Sequence, residues 1–66
     1  MYTVRQLDSD DRVLSEVKVE GTSYNAVLRD IRGLAEGTRR IEVFSSHGEK
    51  AGEIGADYWR QRVRRR

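Results

Sequence analysis

The chain has 66 residues, with 13 Lys and Arg against 11 Asp and Glu, no cysteine and no proline. So short a chain forms at most one domain and buries only about 60% of the surface its unfolded form exposes, leaving a small core and little room for a catalytic cleft. The lack of cysteine excludes disulfides and thiolate metal sites, and no stretch approaches the roughly 18 apolar residues of a membrane span or opens the chain as a basic-then-apolar leader, so a cytoplasmic protein without a membrane partner is expected.

Residues 2–7, YTVRQL, and 13–20, VLSEVKVE, alternate with a period near two and are rich in β-branched and aromatic side chains. The polar DSDDR between them reads as a short loop, so the pair predicts a hairpin. In the second strand Val13, Val17 and Val19 share one face with Ser15, and Leu14, Glu16, Lys18 and Glu20 share the other.

After Gly21, Thr22 or Ser23 can cap a helix whose apolar positions Tyr24, Val27, Leu28, Ile31, Leu34 and Ala35 fall three and four apart. Gly37 stands where a left-handed C-cap belongs, and Gly33 inside the pattern is expected to let the helix sit close to a strand. The outward positions Arg29, Asp30, Arg32 and Glu36 carry mixed charge, which describes a solvated side and not a basic groove-binding surface.

Residues 39–46, RRIEVFSS, alternate again, and His47-Gly48 offers a turn into EKAGEIG, a second hairpin. The closing ADYWRQRVRRR lacks alternation and spaces Trp59 and Val63 four apart behind Asp57, which predicts a short helix running into a tail. The fold class is therefore α+β: a four-stranded antiparallel sheet in the order ββαββ, one main helix on one face, and a short C-terminal helix. The covered face should collect Tyr2, Val4, Val17, Val19, Ile41, Val43 and Ile54. Leu7, Leu14 and Phe44 have the opposite parity and should form an apolar patch on the outer face. Trp59 with Val63, or a second copy of the chain, is expected to cover it, so Leu14, Phe44 and Trp59 form the expected self-association patch.

Charge divides the chain into residues 1–59, a single α+β domain with a net of minus three, and residues 60–66, a tail with five arginines and no acid. Arg60, Arg62, Arg64, Arg65 and Arg66, behind Tyr58 and Trp59, could pair with phosphate while the rings stack on unpaired bases. Against that stand the acidic remainder and the absence of an RNA-recognition strand motif; a basic end also serves solubility or an acidic partner.

Three other clusters have plainer readings. Asp8, Asp10 and Asp11 supply the oxygens a hard cation wants, but without the glycine and distant glutamate of a calcium loop they read as turn residues. Ser45, His47 and Glu49 sit together in a turn, whereas a catalytic triad converges from separated parts of a chain. Gly48, Gly52 and Gly55 match neither the dinucleotide fingerprint nor a phosphate loop. No catalytic, metal or cofactor residue is assigned, and no small-molecule substrate is evident. The expected function is a non-catalytic interaction or accessory module whose partner is another protein or a second copy; the alternative is a nucleic-acid-binding module using the arginine tail.

Overall fold

A computed structural model describes residues 1–64, excepting the side chains of Val63 and Arg64; Arg65 and Arg66 lie outside the described residues. The elements follow in the order β1 (Tyr2–Leu7), β2 (Val13–Val19), α1 (Tyr24–Asp30), β3 (Arg40–Phe44), β4 (Lys50–Gly55) and α2 (Ala56–Arg64). Two hairpins lie side by side in one antiparallel sheet ordered β2-β1-β3-β4. Because β2 and β3 both run antiparallel to β1, they are parallel to each other, and α1 carries the chain between them past the strand in the middle. This is the α+β sheet and helix order that the alternating segments imply.

Register explains the inner face. Tyr2 stands opposite Val19, Val4 opposite both Val17 and Val43, and Ile41 opposite Ile54, so the seven expected residues share one side of the sheet. Val4, Ile41 and Val43 join Val27 and Leu28 of α1 in the core. With few apolar residues to spend, the domain places small ones where elements meet. A Cβ on Gly52 would lie 2.6 Å from the Tyr24 ring, so the glycine in β4 forms the floor on which that ring rests. Gly52→Ala is expected to push the ring off the strand. Overpacking of this kind costs about 1–3 kcal/mol, partly offset by the roughly 0.5–1 kcal/mol an alanine gains over glycine in a strand. Urea denaturation should show a net loss in the wild type, and a neutral or stabilising effect of the same change in a Tyr24→Leu background.

The main helix departs from its apolar periodicity. Ser23 caps it as its sequence suggests, with Oγ accepting from the Ala26 N–H at 3.2 Å, but α1 ends at Asp30 and Ile31 turns extended at φ −68° and ψ 122°. Two tertiary hydrogen bonds compete with continued helix. The Trp59 indole N–H donates to the Leu28 carbonyl at 3.0 Å, and the Ala35 N–H donates to the Gln6 side chain at 2.6 Å. Ile31 and Leu34 still pack on the core, so the apolar positions reach their burial from irregular backbone. Gly33 lies in this segment with nothing near its missing Cβ; the close approaches belong to Gly52 and to Gly21, whose Cβ would lie 2.8 Å from Val27. Gly37 takes a left-handed φ of 92°, but in a turn six residues beyond the helix end at Ile31.

The C-terminal helix also differs in placement. It begins directly after β4 without a loop, and it folds over the same face as α1, with Trp59 6% exposed among Val4, Val27, Leu28, Ile41 and Val43. Trp59 therefore does not cover Leu14 or Phe44. The outer-face parity argument fails at Leu14, because the β1/β2 ladder shifts register between Gln6 and Leu7: Gln6 opposes Ser15 and Leu7 opposes Val13, which leaves Leu14 as the extra, bulged residue. Leu7 keeps its outer-face parity, opposite Arg40 of β3, but is buried and so adds nothing to an exposed patch. Among the described residues no helix is long and apolar enough to cross a membrane.

Candidate interaction surface

The residues singled out by chemistry are distributed over the fold. In the first turn, one Asp8 carboxylate oxygen accepts from the N–H groups of Asp10 and Arg12 at 2.8 and 2.9 Å, closing the loop as an aspartate turn. The hydrogen bond from the Arg12 backbone, against some desolvation, holds the Asp8 carboxyl below its ordinary range. Asp11, at a left-handed φ of 65°, reaches the Arg40 guanidinium at 2.9 Å. The two carboxylates thus serve different partners.

The β3–β4 turn is built the same way. Ser45 Oγ accepts from the N–H groups of His47 and Glu49 at 3.2 and 3.3 Å, and Gly48 supplies a left-handed φ of 85°. The serine hydroxyl orders the turn, while His47 points out as an exposed residue.

On the outer face β1, β3 and β4 line up Arg5, Glu42 and Glu53 in one cross-strand row, continued by Glu16 on β2. Glu42 and Glu53 would repel each other, but Lys50 sits against both, and Arg40 approaches them at 3.2 and 3.4 Å. The hydrogen bond from Lys50 outweighs desolvation and lowers the Glu53 pKa, and the reciprocal bond raises that of Lys50. For Arg40, desolvation is outweighed by the charges of Asp11, Glu53 and Glu42, and its pKa rises. Its Nε is buried beside Glu53 in charge contact only, without hydrogen-bond geometry. Arg5 bridges Glu16 at 3.2 Å and lies 4.7 Å over the Phe44 ring, so Phe44 is half-covered by a cation from its own sheet.

Leu14, Phe44 and Trp59 consequently occupy three separate places: the edge strand, the outer face beneath Arg5, and the core. The arginines are also divided. Arg60 pairs with Asp57 at 3.2 Å, Arg62 lies 5.7 Å over Tyr58, and the Arg64 side chain, Arg65 and Arg66 fall outside the described residues. Arg62 additionally faces Tyr24, where its charge opposes the burial that raises the tyrosine pKa.

Comparison of the chain with protein-family models, with curated proteins and with solved structures finds no match. The surface must be read from its own chemistry.

The apolar exposure concentrates on β2. Val13, Leu14 and Val17 are 50, 40 and 48% exposed, although Val17 lies on the inner face opposite the buried Val4. The cause is architectural: β2 is the edge of the sheet, and α1, at seven residues, leaves this strand's inner face partly uncovered. Only one side of β2 is paired within the described residues, so alternate N–H and C=O groups along the other side have no strand partner. Both edges carry a register shift, but the opposite edge, β4, is one residue shorter and leads straight into α2. What sequence reasoning missed is that Val17 belongs to an edge. Its polar neighbours Glu16 and Lys18 give no sign of this, since Ile41 on the interior strand β3 is flanked in the same way by Arg40 and Glu42.

Proposed function

We propose that this chain is a non-catalytic interaction module that binds a protein partner, a second copy included, along the β2 edge. The observation that carries this reading is the run of half-exposed Val13, Leu14 and Val17 on a strand with one unpaired side, where the other valine, leucine and isoleucine side chains among the described residues are buried or partly buried. Backbone groups would supply the affinity and the valines and Leu14 the side-chain selectivity. The engagement of Ser45 and Asp8 in ordering their own turns supports a role without catalysis.

The nucleic-acid alternative loses one of its two stacking rings, since the Trp59 ring is packed in the core and its N–H is bound to Leu28. What remains is the exposed Tyr58 and the charge of the arginines. A photoreactive residue placed at position 14 should form a discrete protein adduct in cells that a Val17→Lys change abolishes, while the same probe at position 46 gives none. Absence of any adduct at position 14 would defeat the reading. Salt-sensitive retention on immobilised nucleic acid, lost when the five arginines from Arg60 onward become glutamine, would replace it with the alternative.

A further inference from the structure

We infer that the partner of the β2 edge is the β2 edge of a second copy, paired antiparallel about a two-fold axis at Val17, so that two four-stranded sheets join into one of eight strands. The inference rests on β2 being the binding edge and adds the identity of what binds there.

The argument is one of register. A strand that pairs with its own copy about a two-fold axis normal to the sheet must set residues of the same face against each other, so the axis passes through a residue and not between two. Axes at Ser15, Glu16 or Val17 keep the most of Val13–Val19 in the ladder. An axis at Glu16 places Glu16 directly against its own copy, which like charges disfavour. An axis at Ser15 sets apolar Leu14 against Glu16 and brings Arg12 against Lys18 at the flank, and it runs through the bulge at Leu14. Of the three, the axis at Val17 gives complementary pairs within the strand: Glu16 meets Lys18 of the second copy, Lys18 meets its Glu16, Ser15 meets Val19, and the two half-exposed Val17 side chains meet each other, while Leu14 faces Glu20 only past the strand's end. It also falls clear of the bulge.

The charges on either side extend the same pattern. The outer-face row ends Glu42, Arg5, Glu16, with Arg5 bonded to Glu16 at 3.2 Å, so a lysine is the residue the next place in that row calls for. Charged residues on an edge strand ordinarily discourage pairing. Here, of the three registers that keep most of the strand paired, they favour the one centred on Val17.

The chain has no cysteine, so single thiols report the register directly. Across a two-fold axis at Val17 the paired Cα atoms lie about 4.5 or 5.5 Å apart, within disulfide range, whereas Ser15 and its copy are displaced by roughly 13 Å along the strands. Under mild oxidation Val17→Cys should yield a disulfide dimer and Ser15→Cys should stay monomeric; the reverse result, or equal slow cross-linking of Val17→Cys and an exposed control Ser46→Cys, would overturn the inference. In sedimentation from about 1 μM to 1 mM the wild type should approach twice its 7.7 kDa mass. Glu16→Lys and Lys18→Glu should each weaken association at least tenfold with unchanged circular dichroism, and an equimolar mixture of the two should restore dimers as a heterodimer. A wild type monomeric throughout that range overturns self-pairing. The interaction reading is tested separately: a position-14 adduct to a different protein that Val17→Lys releases keeps that reading while excluding self-pairing, and the absence of any adduct defeats both.

Discussion

Trp59→Ala should leave the domain largely unfolded or close to it near room temperature. The indole is 6% exposed in a core cluster whose other buried members among the described residues are the aliphatic Val4, Val27, Leu28, Ile41 and Val43, so none of them is large enough to fill the space it would leave. Truncating a buried aromatic to alanine costs about 3–5 kcal/mol. A domain of this length has a total stability on the order of 3–10 kcal/mol at roughly 0.05–0.15 kcal/mol per residue. The same change removes the donor to the Leu28 carbonyl, one of the last-turn groups of α1 that has no partner within the helix. Helix content and sheet content should therefore be lost together in thermal scans by circular dichroism, with the midpoint falling by about 12 °C or more. Trp59→Phe separates the two contributions. It keeps most of the apolar volume and deletes the hydrogen bond, and an orphaned buried carbonyl costs about 1–3 kcal/mol. A Trp59→Ala protein with near-native stability would mean that α2 does not hold the core together.

What the sequence allows to be read follows from which interactions are local. Alternation in YTVRQL, VLSEVKV and RIEVF places the strands and assigns the inner face, because side-chain direction in a strand depends on parity alone. Parity then fails where a bulge inserts a residue: Leu14 slips out of step, and Val13 comes to stand opposite Leu7. The helix end fails for another reason. Ile31, Leu34 and Ala35 continue the helical spacing, yet the carbonyl of Leu28 and the N–H of Ala35 are claimed by Trp59 and Gln6, 31 and 29 residues away in the chain, and nothing within the local segment announces either bond. The face chosen by Trp59 was hidden in the same way. The absence of a loop between Gly55 and Ala56 was legible, but the side to which α2 turns, back over the inner face, was not. Exposure of Val17 depends on strand order, since the same residue in β1 or β3 would be core.

Gln6 carries the second large expected effect, and it is the residue whose importance periodicity conceals. Tyr2, Val4 and Gln6 share parity in β1, so a polar amide occupies a position that the pattern reserves for an apolar side chain, and it is 6% exposed. Such a group is tolerated only when bonded. Its Oε1 accepts from the Ala35 N–H at 2.6 Å and lies 3.1 Å from Thr38 Oγ1, and its amide nitrogen reaches the Gly33 carbonyl at 3.5 Å. The Ala35 donor fixes which end of the amide is oxygen, since an amide nitrogen cannot accept. Thr38, itself buried, has one proton to place between Gln6 and the Ala35 carbonyl at 2.7 Å, so strand, irregular segment and threonine form one polar network inside an apolar shell. Gln6→Leu suits the neighbouring valines but strips the acceptor from Ala35, and a loss of about 1–3 kcal/mol is expected. Hydrogen exchange locates the effect: protection at the Ala35 amide should fall more than that of the β1/β3 ladder. Thr38→Val should cost less, and the double variant less than the sum of the two, because groups sharing one network do not contribute additively. Additive losses with an unchanged Ala35 amide would show that the segment from Ile31 to Ala35 is held by Ile31 and Leu34 packing and not by Gln6.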